Sequence, residues 1–154
     1  MIPPSVPAIL VTQDGRTFRG RSFGAIGQAV GEASLGSGMV GYQAMLTDPA
    51  RAGQIVIATS PHSGILGWTD VDGGAPRIQA AGYVVRDPSP RPSNRDCDRS
   101  LDEELVRQGI VGLCQIDTRA LVQHLREGGP MLVGIDSTSA DAGALLAAIT
   151  ARQA

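Results

Sequence analysis

Side chains able to do acid–base, nucleophilic or metal chemistry are few here, and their spacing says as much as their number. The two histidines are His62, in "SPHSG" at the end of an apolar run, and His124, in "VQHLREGG". Histidine titrates near neutral pH and serves as general base or metal ligand. His62 stands where a ligand can approach a loop backbone, although a polar loop histidine is the plainer reading. His124 falls on a helix face opposite Leu121 and Leu125 and is expected in solvent. The two cysteines, Cys97 and Cys114, are too far apart for a C-x-x-C motif and too few for a zinc site. Cys114 reads as a buried thiol in an apolar strand and Cys97 as an exposed one in a polar loop, with no disulfide. Glu32 lies inside a strand pattern, where a carboxylate needs a partner; Arg19 or Arg119 can supply it. Asp117-Thr118-Arg119 has the form of a binding triplet, yet helix capping accounts for Asp117 and Thr118. All 13 basic residues are arginine, which removes a phosphate-loop lysine, Schiff-base chemistry and a lysine base. No Ser-His-Asp set, acid–base carboxylate pair or metal cluster assembles from spacing. No catalytic residue, metal or cofactor is therefore assigned, and the chemistry-bearing residues alone describe a globular domain acting through a surface.

The elements that must position these residues change character along the chain. Residues 1–7, "MIPPSVP", are rich in proline and read as a flexible lead-in to a domain spanning 8–154. "AILVT" (8–12) and the alternating "RTFRGRSF" flank Asp14-Gly15, a hairpin turn signal. "QAVGEASL" reads as another strand. "YQAMLTDPA" forms a short helix that Asp48-Pro49 stops, and "QIVIATS" follows as a buried strand. Gly64 to Pro76 is a long loop carrying the sole tryptophan, Trp68. "RIQAAGYVVRD" is a strand, and "PSPRPSNRDCDRS" an exposed loop. Helices then alternate with strands. "LDEELVRQG" has Ser100 as N-cap and Gly109 as stop, and "IVGLCQI" is a strand. "DTRALVQHLREGG" is capped by Asp117 and apolar along Leu121, Val122 and Leu125. "MLVGI" is the last strand, and "ADAGALLAAITAR" a helix packing along Leu145, Leu146 and Ile149. The reading is α/β: strand-rich first half, α/β second half.

With 154 residues and 42% apolar content, the sequence supports one domain with a real core. Aromatics are only 3%, so that core is aliphatic. Net charge is -2, with arginines scattered among acids, which argues against a nucleic-acid partner. No apolar run approaches membrane length, and the N-terminus lacks a basic n-region and apolar h-region. The expectation is a cytoplasmic protein bound to neither nucleic acid nor membrane.

Four stretches, in order, carry a resemblance: "DGRTFRGRSFGAIGQAVGE", "MVGYQAMLTDPARAGQIVIATSPH", "AGYVVRDPSPRPSN" and "IVGLCQIDTRALVQHLREGGPM". Together they resemble the N-terminal domain of the small subunit of glutamine-dependent carbamoyl-phosphate synthetase, from about Ala8 to Ile135. The specific parts are Gly41-Tyr42-Gln43 with Leu46-Thr47-Asp48-Pro49, and Ile116-Asp117-Thr118-Arg119-Ala120-Leu121. The resemblance implies a three-layer β/β/α domain of the swivelling type. It implies a partner, the synthetase large subunit, and a separate glutaminase domain whose Cys nucleophile sits in a Gly-rich elbow. Neither cysteine here has that Gly-x-Cys-x-Gly context, so the chain is expected to lack the glutaminase and to hydrolyse no glutamine alone. The implied role is docking on the large subunit and supporting glutamine-derived ammonia delivery for arginine and pyrimidine synthesis. Gly41, Tyr42, Gln43, Asp48 and Arg51 are the implied partner-interface residues, and Ala50 occupies the position of a family serine that contacts glutamine.

Departures fall beside these motifs. Leu35-Gly36-Ser37-Gly38-Met39 stands for the family's Phe-Asn-Thr-Ser/Gly-Met, Ala50-Arg51 for Ser-Tyr, Ser63-Gly64-Ile65 for Ile-Gly-Asn, and Arg95-Asp96 for Trp-Arg. They fit a second reading: a diverged stand-alone binding module, or a gene fragment, that kept the fold and lost the synthetase role.

Overall fold

Alternation within short apolar runs decides the architecture. A computed structural model describes residues 4–36, 42–60, 62–63, 68–69, 76–88 and 98–153. In β1 (Pro7–Thr12) the residues Ala8 and Leu10 face one cluster, while Ile9 and Val11 face another. A strand buried on both sides must be apolar at every position, which is why "AILV" shows no polar face. β1 turns into β2 (Thr17–Gly24) as an antiparallel hairpin with Gly15 at φ 93°, a left-handed conformation that glycine adopts without steric cost. β3 (Gln28–Gly36), β4 (Ile55–Ala58), β6 (Gly82–Val84), β8 (Val111–Cys114) and β9 (Leu132–Asp136) complete a closed barrel in the order β1-β2-β8-β6-β4-β3-β9. Neighbours β3, β4, β6 and β8 run parallel; the remaining pairs are antiparallel. Two-residue strands β5 (His62–Ser63) and β7 (Asp87–Pro88) pair separately.

Helices cover what the strands expose. α3 (Thr118–Gly128) seats Leu121, Val122 and Leu125 among the inward-facing residues Leu10, Ile55, Ile57, Val84, Leu113, Val133 and Ile135. Outside the barrel, α1 (Tyr42–Thr47) and α2 (Leu101–Gln108) pack Tyr42, Leu46, Leu101 and Leu105 on Val56, Ala58, Tyr83 and Phe23. On the opposite side α4 (Ala142–Gln153) lays Leu145 and Ile149 over Ile9 and Val11. It sits close because β9 presents Gly134 there: a Cβ at that position would meet Leu145 Cδ1 at 2.7 Å, inside normal contact distance.

The expected helix boundaries recur with their caps. Ser100 Oγ accepts from Glu103 N, while Glu103 returns a bond to Ser100 N, a complete capping box that typically contributes about 1 kcal/mol. Asp117 Oδ1 accepts from Ala120 N at 3.0 Å. On α2, Glu104 is fully buried, ion-paired to Arg99 at 2.6 Å and Arg107 at 2.8 Å, and bonded by Gln108. Burial pushes the Glu104 carboxyl up, but the bonds from Arg107, Gln108 and Arg99 outweigh it and hold the group below its ordinary value.

One expectation changes. The strand expected over 77–87 contracts to Gly82–Val84, because the preceding amides bond elsewhere. Ile78 N donates to Gln108 Oε1, Gln79 N and Ala80 N to Leu46 O, and Ala81 N to Gln54 O. Trp68 lies outside any named helix or strand, and it is fully buried against α1 and α2, with its backbone bridged to Arg99. Most of that loop, and most of the "PSPRPSNRDCDRS" loop with Cys97, lies outside the described residues.

Candidate docking segment and the chemistry around it

Asp48-Pro49 imposes a break after α1: the chain turns through a 3-10 turn at Pro49–Arg51, since proline cannot continue the preceding hydrogen bonds. Asp48, exposed, caps that turn by accepting from Ala50 N at 3.0 Å. Ala50 is exposed on the turn. The other predicted interface residues point into the fold. Tyr42 is 1% exposed, one helical turn from the buried Leu46. The Gln43 side-chain amide clamps the Thr69 backbone in both directions, donating from Nε2 to Thr69 O at 2.6 Å and accepting from Thr69 N at 3.0 Å. Arg51 Nη1 reaches back to β3, donating to Ser34 Oγ at 2.6 Å and Leu35 O at 3.2 Å. Gly41 lies outside the described residues. The segment's outward rim is thus Asp48, Pro49, Ala50 and the following Ala52-Gly53, a short surface of small side chains whose neighbours are fixed from behind.

Other chemistry-bearing residues take structural positions. Cys114 is buried with Sγ directed to Ser22 O at 3.7 Å; burial first, then the charge of Asp102, raises its thiol to about 11. A thiol that stays protonated at neutral pH is a poor nucleophile. His124 corrects the expectation of a solvated histidine. Its side chain is 19% exposed, with Nε2 2.8 Å from Asp14 Oδ2 and Nδ1 3.4 Å from Arg16 Nη1. The ring meets Phe18 edge-on at 6.5 Å. The first hairpin carries Asp14 and Arg16 across to α3, a contact over 110 residues that helix periodicity alone cannot foresee. The Thr12 hydroxyl and then His124 hold the Asp14 carboxyl below its ordinary value. Glu32 is exposed on β3 and makes no ion pair among the described residues, so neither Arg19 nor Arg119 is its partner. The side chain of His62 lies outside the described residues. Among the described residues no group of three or more His, Cys, Asp or Glu could hold a metal, and no helix is long and apolar enough to cross a membrane.

Sequence reasoning did not find a cleft at the C-terminal ends of the parallel strands. Thr59 follows β4, Arg86 follows β6, Gln115 follows β8, and α3 begins immediately beyond. The cleft, of about 560 Å³, is lined by Thr59, Arg86, Thr118, Arg119, Gln123 and Arg126, among others. Its arginines are spread from 86 to 126 in sequence, and only Arg119 falls in a motif, the Asp117-Thr118-Arg119 triplet that helix capping explained in part.

Residues 10–135 match the family described as the carbamoyl-phosphate synthase small chain, CPSase domain. A carbamoyl phosphate synthase small chain from Streptomyces avermitilis is 56% identical over 94% of this chain and 38% of its own. One from Mycobacterium tuberculosis strain H37Rv is 51% identical over 95% of this chain and 40% of its own. The chain thus spans about two fifths of the length of these curated relatives. Among solved structures, an aminopeptidase from Aneurinibacillus sp. strain AM-1 aligns with 86% of this chain and 33% of its own. That alignment has 13% identity and a TM-score of 0.43, too slight a likeness to build on.

Proposed function

The chain belongs to the carbamoyl-phosphate synthase small-chain family, and from that premise we propose that it is the non-catalytic docking domain of a glutamine-dependent carbamoyl-phosphate synthetase. It docks on the synthetase large subunit, in the cytoplasm, and supports delivery of glutamine-derived ammonia for arginine and pyrimidine synthesis. The swivelling-type three-layer β/β/α arrangement, with residues 8–154 as the domain, is part of this reading.

One observation carries it: 56% identity extends over 94% of the chain, and the family match over residues 10–135 spans the rim. Tyr42, Gln43 and Arg51 then act as the rim's scaffold, holding the turn in place from the core, from Thr69 and from β3. Such preorganisation lowers the ordering cost of association. Ala50 faces the glutamine held by a neighbouring glutaminase, and its methyl group supplies no hydrogen bond there.

The test is reconstitution. The 154-residue chain, a family glutaminase domain and a large subunit are combined, and carbamoyl phosphate formed from glutamine is measured. The expected result is no glutamine hydrolysis by the chain alone, with coupled synthesis that depends on adding it. Ammonia release by the isolated chain, or coupled synthesis indifferent to it, would overturn the reading.

A further inference from the structure

We propose that the groove along α3 is a docking site for an acidic segment of a partner polypeptide, a proposal that rests on the docking reading and gives it a surface. Three clefts adjoin along α3 through shared arginines. Arg86 and Arg119 line both the 560 Å³ cleft and an adjoining one of about 460 Å³. Arg126 lines the first cleft and also a third of about 310 Å³ bounded by Leu35, Leu125 and Met131. Together they follow α3, whose 11 residues span about 16 Å at 1.5 Å each. That length suits about five residues of extended chain and exceeds what one small anion fills.

Charge fixes the chemistry of the occupant. The first cleft sets three arginines against one carboxylate, Glu127, which accepts from Gln123, while Asp117, the cap of α3, and Asp87, 3.8 Å from Arg86, line the adjoining cleft. Arg119 and Arg126 are exposed and pair with nothing among the described residues. Arg119 moreover sits in the first turn of α3, which holds no acidic side chain. A cation there opposes the helix dipole, so its position does not serve the helix. An arginine left unpaired beside a groove suits bidentate capture of a carboxylate. At the far end the lining turns apolar, with Leu35, Leu125 and Met131, and carries the unpaired carboxylate of Glu32. The matching segment therefore has acidic residues against Arg86 and Arg119, and an apolar side chain about 10–16 Å further along α3. A negative charge beside Glu32 is disfavoured.

Two titrations test this with the full chain at about 0.1 M salt. One uses the synthetase large subunit. The other uses a synthetic hexapeptide with two glutamates followed, three residues on, by a leucine. Arg119→Glu with Arg126→Glu should weaken large-subunit binding about tenfold or more and abolish the wild type's loss of affinity at high salt. Arg77→Glu, an exposed change outside the groove, should leave both unchanged, and far-ultraviolet circular dichroism checks that every variant is folded. Large-subunit binding that survives the double reversal within twofold overturns the groove and leaves the docking reading standing. Peptide binding lost on reversal, without any large-subunit binding, supports the groove and overturns the docking reading. Binding of neither ligand overturns both.

Discussion

The turn after α1 and the helix α3 both connect strands of the same barrel, yet they use their polar side chains in opposite ways. In the first, Gln43 binds Thr69, Asp48 caps the turn and Arg51 bonds to β3. Only small side chains are left facing outward. In α3 the apolar stripe does the anchoring, through Leu121, Val122 and Leu125, and the arginines remain unengaged. A polar residue in a recognisable motif is thus no evidence of a contact surface. Arg119 and Arg126, without partners among the described residues, lie where packing is done by leucine and valine.

The sharpest way to break that contrast is at the anchor. Leu121→Ala removes a fully buried side chain and should cost about 2–5 kcal/mol in a urea titration. A loss below about 1 kcal/mol would mean that α3 is held otherwise.

Next in size is Gln43→Ala, which deletes two bonds to Thr69 and should cost about 1–2 kcal/mol. Trp68 is the only tryptophan and neighbours that clamp. Its emission should shift to the red if Gln43 is structural, and stay unchanged if Gln43 belongs to the contact surface.

The polar link between α3 and the first hairpin is tested by acid. Asp14, Glu104 and Asp136 have folded-state values below their ordinary ones. In Asp14 the Thr12 and His124 bonds lower it; in Asp136 burial raises it, but bonds from Thr138 and Ser139 outweigh burial. A depressed carboxylate contributes stability above its unfolded value, about 4, and loses it as pH falls through the lower folded value. Stability should therefore drop as pH falls below about 4, and Asp14→Asn should shrink that drop. An unchanged drop would show the His124–Asp14 pair to be idle.

The smallest effect is expected at Ala50, where an exposed Ala50→Ser should change stability by less than about 0.5 kcal/mol. With a glutaminase and large subunit supplied, the added hydroxyl should tighten glutamine use about two- to twelvefold, one net hydrogen bond. Equal glutamine use by both would remove this turn from the glutamine site.

What could be read in advance was what is decided locally. Ser100, Gly109 and Asp117 bound α2 and α3 because caps and apolar periodicity act within a few residues. The Tyr42–Leu46 spacing, one helical turn, already carried the signal that Tyr42 packs into the core. What escaped was set by distant partners. The strand around β6 shortened because Leu46, Gln54 and Gln108 took its amides. His124 left solvent because a hairpin over a hundred residues away reached it. The arginine groove exists only once β4, β6 and β8 lie side by side.

The barrel's closure has a consequence for how this protein meets others. Every barrel strand has a neighbouring strand on both sides, so among the described residues the barrel has no edge strand. Recruitment by adding a strand, a common route to complexes and equally to aggregates, is closed to it. Specificity must then be written in side chains on helices and turns. There, single substitutions can redirect partner choice without disturbing the hydrogen-bonded wall behind them.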